Sequence, residues 1–134
     1  MLLLLAAADA QAQTTSDFAG NWEGAKNTRG LMELRIGQEN GRWTAHAFGS
    51  CTPQPCDWGV VPFTLLEQRP AGPSAGVAIW RRGTSTRFVT THLGEGALVV
   101  EIYTLFSGPR DQPSYLSVET LTKPLSSQSP RPKK

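Results

Sequence analysis

Residues 31–50 read LMELRIGQENGRWTAHAFGS, and this stretch decides the fold. Residues 32–36 alternate between apolar and charged, a pattern typical of a strand with one buried and one solvated face, so we expect Met32, Leu34 and Ile36 to be buried together. The dipeptide Asn40-Gly41 tolerates positive φ at both central positions of a tight turn. The stretch therefore predicts a β-hairpin with strands over residues 31–36 and 42–50.

Short apolar stretches bounded by turn residues continue on both sides of this hairpin, with no comparable helical period. Eight strands are predicted, over residues 21–25, 31–36, 42–50, 60–67, 77–81, 87–93, 97–106 and 115–122. Pro62 lies within the fourth strand, where its missing N–H favours a bulge or a strand end. Because short loops join consecutive strands, we expect an all-β meander.

Two closures of this meander are compatible with the pattern. A single eight-stranded antiparallel up-and-down barrel is favoured, because closure removes the exposed strand edges that promote aggregation. A two-sheet β-sandwich uses the same strands and is the alternative. A barrel of this strand number has room for side chains or for one small ligand.

The two ends of the chain are expected to lie outside the folded domain. Residues 1–12 combine a short apolar block with small residues spaced as Ala-x-Ala, which is typical of a secretory signal peptide, here truncated at its start. Residues 13–17 form a polar leader, 18–123 the β-barrel domain, and 124–134 a disordered basic tail rich in Pro and Ser. The protein is therefore expected to be secreted or periplasmic.

The cysteine count and the charge narrow the classes of partner. Cys51 and Cys56 are the two cysteines of a 134-residue chain, and in an oxidising compartment such a close pair favours a disulfide over a metal site. We expect this disulfide to shape a loop rather than to hold the fold. The formal charge is only +2, and part of it lies in the last four residues, so no nucleic-acid surface is expected. The N-terminal apolar block is too short for a membrane span.

Two motifs carry a resemblance to known families. Gly20-Asn21-Trp22 at the first strand, together with eight strands, resembles the opening of lipocalin and avidin-like (calycin-type) barrels. Residues 46–59, HAFGSCTPQPCDWG, are similar to a signature of small exported bacterial domains that share a Cys-x-Pro-x-x-Cys-Asp-Trp-Gly loop. The chain also resembles periplasmic inhibitors of secreted metalloproteases, although their cysteines are placed differently. These resemblances imply a small exported barrel and name no activity.

The loop over residues 51–59 is the most distinctive candidate site. Two prolines stiffen its ring, so that Asp57 and Trp58 would lose little entropy on binding a partner. Alternatively, Trp58 covers one end of the barrel while Asp57 accepts backbone N–H bonds in the turn. Trp43 and Trp80 lie near turns, and burial is the commoner fate of such rings. The expected ligand-binding residues are Trp58, Asp57, Trp43 and Trp80.

Catalytic and metal chemistry have little support in the residue pattern. His46 and His92 could share a metal with Glu101 only if the fold brought them together, so no metal and no cofactor are expected. Glu33, Glu101 and Glu119 alternate with apolar neighbours, as on a solvated sheet face; a hydrolase would need Glu101 or Glu119 turned inward. Because no nucleophile elbow or phosphate loop is present, the chain is not expected to be an enzyme.

The function predicted from these features is that of a non-catalytic exported binding module. Its ligand would be a small apolar molecule or a glycan, held at the barrel mouth or at the Cys-loop end. The alternative is an interaction protein that inhibits an extracellular or periplasmic enzyme, with the stiff Cys loop or the polar leader as the contact.

Overall fold

The computed structural model describes residues 15–26, 28–67, 75–108 and 112–124. A short 3-10 helix, Thr15–Phe18, precedes nine strands: β1 Gly20–Glu23, β2 Leu31–Glu39, β3 Arg42–Gly49, β4 Cys56–Pro62, β5 Thr64–Leu66, β6 Ala75–Arg82, β7 Ser85–Leu93, β8 Leu98–Phe106 and β9 Tyr115–Leu121. The all-β prediction is confirmed. The predicted signal peptide, the start of the polar leader and the basic tail after residue 124 lie outside the described residues.

The strands form two antiparallel sheets in the order of the chain, β1-β2-β3-β4 and β5-β6-β7-β8-β9. This is the predicted meander in its two-sheet form, so the sandwich alternative is observed and the closed barrel is not. The sheets separate where the fourth predicted strand is divided: β4 ends at Pro62, the Phe63 N–H still bonds to the Trp43 carbonyl of β3 (3.0 Å), and from Thr64 the chain pairs with β6 of the second sheet. The predicted strand end at Pro62 is therefore correct.

On the other side the two sheets approach each other without a continuous ladder. Glu23 at the end of β1 and Thr122 just after β9 exchange two backbone hydrogen bonds, of 2.7 and 2.9 Å. This isolated bridge holds the two edge strands together at one point. The two sheets are therefore connected along both sides, by the chain between β4 and β5 and by this bridge.

The central hairpin forms as the sequence predicts. Asn40 and Gly41 have φ of 53° and 80°, the double positive φ of the favoured two-residue turn, and Glu39 pairs with Arg42 beside it. One detail of the prediction is wrong: Met32 is exposed and Leu31 is buried in its place. The cause is a bulge, because Leu31 pairs with Gly49 and Glu33 with Phe48, which leaves Met32 as an extra residue that reverses the alternation.

The core lies between the sheets and is built by strand alternation. Buried side chains come from every second residue, from Leu34 and Ile36 of β2 and Ala45 and Ala47 of β3 in one sheet, and from Val89 of β7 and Leu98, Val100 and Ile102 of β8 in the other. Their contact buries the apolar surface that stabilises the sandwich.

One end of the sandwich is closed by aromatic side chains around the 3-10 helix. Phe18 is fully buried, and its carbonyl accepts a hydrogen bond from the Trp22 Nε1 (2.9 Å). Its ring meets the Phe63 ring edge-on with the centroids 5.7 Å apart, and the Trp43 ring is tilted against Phe63 at 6.3 Å. We call Phe18, Trp22 and Phe63 the aromatic plug. Trp22 is 4% exposed and belongs to the core.

Candidate functional site

The opposite end of the sandwich contains a cavity of about 310 Å³. It opens where β3 runs into the Cys loop, at the Gly49 end of the strand and away from Trp43. Both cysteines contribute to its wall, and we call it the Cys-loop cavity. Its volume is at the lower end of the range of about 300–1,000 Å³ that is usual for ligand sites. The lining side chains used below are Arg29, Trp58, Arg82, Arg87, Thr104, Tyr115, Ser117 and Glu119.

The polar lining arises from the same alternation that builds the core. Trp80 of β6 pairs with Arg87 of β7, Arg87 with Thr104 of β8, and Thr104 with Tyr115 of β9, in one row across the second sheet. Arg87 lies two residues from buried Val89, so it also points between the sheets. Inward-facing positions therefore carry charged and polar groups at this end, whereas those further along β7 and β8 are apolar except Thr91, whose hydroxyl donates to the Gly76 carbonyl (3.2 Å).

Trp58 reaches the cavity because β4 bulges at that residue. Phe48 pairs with Asp57 and Ala47 pairs with Gly59, so Trp58 is the extra residue between them, and Gly59 has a φ of 96°. Bulges of this kind redirect a side chain. The indole lies over Gly49, where a Cβ would come within 2.7 Å of its Nε1. Gly49 thus provides the space in which the half-buried Trp58 ring lies.

Trp80 supports Trp58 from the core side. It is only 4% exposed, its ring meets the Trp58 ring edge-on at 5.5 Å, and its Nε1 donates to the Gly59 carbonyl (2.9 Å). Such edge-to-face pairs add about 0.5–1.5 kcal/mol to the burial of the rings. Trp80 therefore holds the bulge and the Trp58 ring in place without lining the cavity itself.

The predicted disulfide between Cys51 and Cys56 is present, with the Cα atoms 5.5 Å apart. It closes the ring of the Cys loop directly before β4, and both cysteines line the cavity. A disulfide is compatible with an oxidising extracellular or periplasmic environment.

Asp57 lies on the outer side of the same strand, away from the cavity lining. Its Oδ1 accepts the Gly59 N–H (2.8 Å) and contacts the His46 Nε2 (2.7 Å). The hydrogen bond from His46, followed by that from Gly59, lowers the pKa of the Asp57 carboxyl below its ordinary value. This is the local backbone bond that the turn interpretation of Asp57 predicts, and it orders the loop beside the bulge.

The charges around the cavity are unequal. Arg29, Arg82 and Arg87 contribute three guanidinium groups and Glu119 one carboxylate. The Glu119 oxygens accept the Leu31 N–H at 3.1 and 3.2 Å and the Thr28 hydroxyl at 3.3 Å. Within the described parts of the chain, the two ion pairs are Arg35 with Glu33 and His46 with Asp57, and neither includes a residue of the cavity lining. The cavity is therefore cationic.

The four predicted ligand-binding residues occupy different places. Trp58 lines the cavity, Trp80 lies behind it, and Asp57 points outward beside it. Trp43 is at the other end of β3, against Phe63 of the aromatic plug, so the structure does not bring it together with the other three.

The sequence interpretation missed Arg82, Arg87, Tyr115 and Glu119. The alternation in β9 predicts a solvated face for Glu119, yet Glu119 lines the cavity, because it shares its side of β9 with buried Leu121. Glu101 instead lies on the outer face, where it accepts from the Thr90 hydroxyl (3.0 Å). The sequence does contain a signal for these inward-facing polar residues. Residues two positions apart on a strand share a face, so a polar residue two positions from a clear core residue is expected to point inward.

The histidines considered for a metal site belong to different sheets. His46 is in β3 and is bonded to Asp57, while His92 is in β7. In the part of the chain that the structure describes, no group of three or more His, Cys, Asp or Glu residues is arranged to hold a metal.

With this geometry established, comparison with known proteins adds no relative: no protein-family model, curated protein or solved structure matches the chain. The likeness to lipocalin and avidin-like barrels therefore stays a prediction. Among the described residues, no helix is long and apolar enough to cross a membrane. Fold and site together define a two-sheet antiparallel β-sandwich with a disulfide-bounded, cationic cavity at one end.

Proposed function

We propose that the protein is a non-catalytic exported binding module that holds a small ligand in the Cys-loop cavity. The observation that carries the proposal is the change of inward-facing residues from apolar to polar at this end of the sandwich. Polar side chains at core-facing positions weaken packing and are expected where function requires them. Export is supported by the disulfide and by the signal-like N-terminal pattern.

Of the two ligand classes that the sequence predicts, a glycan suits the cavity better than an apolar molecule. Transfer of an apolar ligand into a cavity lined by three arginines and a glutamate would desolvate these charges without replacing their hydrogen bonds. A sugar provides hydroxyls for such groups and an apolar ring face for Trp58 or Tyr115.

Native mass spectrometry of the protein exported by its host and purified gently tests this proposal. The wild type is expected to retain a small-molecule adduct that disappears on denaturation. Tyr115→Ala removes a lining ring that is 53% exposed, so it should lose the adduct and keep the fold. Trp43→Ala, at the other end of β3, is the matched aromatic control and should retain the adduct if it folds.

A bare mass for the folded wild type would contradict a ligand-binding role. It would favour the alternative, in which the protein inhibits an extracellular or periplasmic enzyme. Residues 51–57 are all exposed, so the Cys loop is accessible for such a contact. If Tyr115→Ala retains the adduct and Trp43→Ala loses it, the ligand lies at the end of the aromatic plug, which would contradict a site in the Cys-loop cavity.

A further inference from the structure

Among the described residues, no ion pair joins a carboxylate to an arginine of the Cys-loop cavity, and the carboxylate that attracts Arg82 electrostatically is that of Asp57, outside the lining. The one acidic side chain in its lining, Glu119, is already engaged by the Leu31 N–H and the Thr28 hydroxyl. Neither ion pair of the described residues includes Arg29, Arg82 or Arg87. Like charges in a partly enclosed space repel one another, and an anion in the cavity would relieve this repulsion.

One of the three arginines is held in a defined orientation. The Arg87 guanidinium carbon lies 4.5 Å from the centre of the Trp58 ring, and Trp58 is itself fixed by Trp80 and by the bulge. A guanidinium stacked on an aromatic face keeps its N–H groups in its own plane, available for a bidentate bond to a carboxylate. Arg87 is therefore preorganised for an anion with two oxygens.

A second arginine is anchored beside it by the loop. The Arg82 Nη2 donates to the Asp57 carbonyl (3.2 Å), which leaves its other N–H groups at the rim of the cavity. Arg82 is two residues after buried Trp80 on β6, so its side of the strand is the one that faces the cavity. Two arginines thus flank the same opening from neighbouring strands.

The rest of the lining suits a hydroxylated ligand. Thr104, Ser117 and Ser50 carry hydroxyls that donate and accept hydrogen bonds, and the Tyr115 ring contributes an aromatic face. The volume of about 310 Å³ limits the ligand to a small molecule, of about one or two sugar rings. A ligand that suits this cavity is therefore compact and carries both a negative charge for the arginines and polar groups for the Thr and Ser hydroxyls.

We infer that the Cys-loop cavity binds a sugar acid, whose carboxylate is held by Arg87 and Arg82 and whose hydroxyls contact the neighbouring Thr and Ser side chains. This inference rests on the proposed binding function and adds the chemical class of the ligand. It assigns recognition to the carboxylate, so the corresponding neutral sugar is a poor ligand for the same cavity.

Isothermal titration calorimetry with matched sugars tests the inference. The probes are D-glucuronate and D-galacturonate against D-glucose and D-galactose, which differ from them at a single carbon. The acids are expected to bind at least about tenfold more tightly than the neutral sugars, because charge-assisted hydrogen bonds are the strong ones. Raising NaCl from about 50 to about 500 mM should weaken binding of the acids more than that of the neutral sugars.

Two charge-matched variants locate the effect. Arg87→Gln should weaken uronate binding by about tenfold or more and thereby reduce the preference of the cavity for the acids over the neutral sugars. Arg42→Gln removes one positive charge at the exposed hairpin turn, outside the cavity lining, and should leave uronate binding within about twofold of wild type. Circular dichroism checks that both variants keep the β-sheet signal.

The outcomes separate this inference from the proposed function. Equal binding of acid and neutral sugars, unaffected by Arg87→Gln, would overturn the sugar-acid inference and leave a binding cavity in place. No binding of either uronate would also overturn it, and the native adduct would then decide whether another ligand occupies the cavity. Equal losses from Arg87→Gln and Arg42→Gln would show non-specific attraction and would equally overturn it.

Discussion

The space between the sheets is filled at one end of the sandwich by the aromatic plug, and at the other end it remains open, bordered by arginines and a disulfide. At the plug, Phe18, Trp22 and Phe63 are each at most 4% exposed. At the Cys loop, Trp58 is half-buried and Arg82 and Tyr115 are exposed. The same two sheets therefore supply apolar packing at one end and a polar, accessible cavity at the other.

The contrast between the two ends shows how a small sandwich can place the residues that stabilise it apart from those that bind a ligand. Apolar burial at the plug contributes free energy of folding, whereas inward-facing charged groups contribute little to it and are costly unless they are solvated or paired. Placing all three cavity arginines at one end leaves the remainder of the core free of charge. Substitutions at the plug should therefore affect stability most, and those at the cavity should affect it least.

The largest expected effect is at the plug. Phe18→Ala removes a fully buried ring and should destabilise the protein by about 3–5 kcal/mol, because the cavity it leaves is enclosed by Phe63 and Trp22. Urea unfolding followed by tryptophan fluorescence measures the change. Phe88→Ala is the matched control, since this ring is 37% exposed on β7, and it should cost far less. Equal losses for the two variants would contradict the assignment of the plug as the main source of stability.

The next prediction compares two glycines that each lie under an aromatic ring. A Cβ at Gly76 would overlap the ring of Phe63 in the plug, and a Cβ at Gly49 would come within 2.7 Å of the Trp58 Nε1. Gly76→Ala should cost about 2–3 kcal/mol, as overpacking does in a closed core. Gly49→Ala should cost less, because Trp58 can move toward the cavity. The unfolding midpoints of both variants test this order, and a larger loss for Gly49→Ala would reverse it.

The sequence predicts the regularly alternating parts of this fold well, and the reason is local. Turn chemistry at Asn40-Gly41 and the missing N–H of Pro62 act within a few residues, and both predictions are correct. Met32 and Trp58 are placed by bulges, where one extra residue reverses the alternation. Alternation within one strand carries no mark of such a bulge, because the pairing partner determines it.

Of the ligand-binding residues that the sequence predicts, only Trp58 beside the Cys loop lines the cavity. Arg82, Arg87 and Glu119 come from three other strands, and they meet only because the second sheet lies across the Cys loop. In a strand whose residues alternate between apolar and polar, a charged residue is expected on the solvated face. The pattern therefore does not predict that these three side chains point inward. Closure into a barrel or a sandwich also depends on contacts between strands far apart in the chain, which alternation does not encode.

A smaller effect is expected from the disulfide, although it borders the cavity. Replacing both cysteines by Ser opens a small ring, for which loop-closure entropy gives about 2 kcal/mol. The far-UV circular dichroism signal should persist, because the strands on both sides are held by their own ladders. Ligand binding should weaken in the same variant, since both cysteines line the cavity. Loss of the whole β signal would show that the Cys-loop end supports the fold as much as the plug does.

The smallest expected effect concerns Asp57, which orders the Cys-loop end from outside. Its pKa is lowered in the folded state by the hydrogen bonds from His46 and Gly59, so the folded protein holds this proton less tightly than the unfolded chain does. The stabilisation is therefore present above the pKa of the unfolded carboxyl and is lost as the pH falls through the lower pKa of the folded state. Because the side chain is exposed, the magnitude is small.

Urea unfolding of wild type and Asp57→Ala across this pH window measures that contribution. The variant should be slightly less stable near neutral pH, and the difference should shrink as the carboxyl of the folded wild type becomes protonated. Asp57→Asn keeps an oxygen that can accept the Gly59 N–H, so it should retain part of the stability without the pH dependence. If the difference in unfolding free energy between wild type and Asp57→Ala stays constant with pH, Asp57 stabilises the loop without its charge. Asp57 would then order the Cys-loop end through its shape and the hydrogen bond that it accepts from Gly59, together with the bulge and the disulfide.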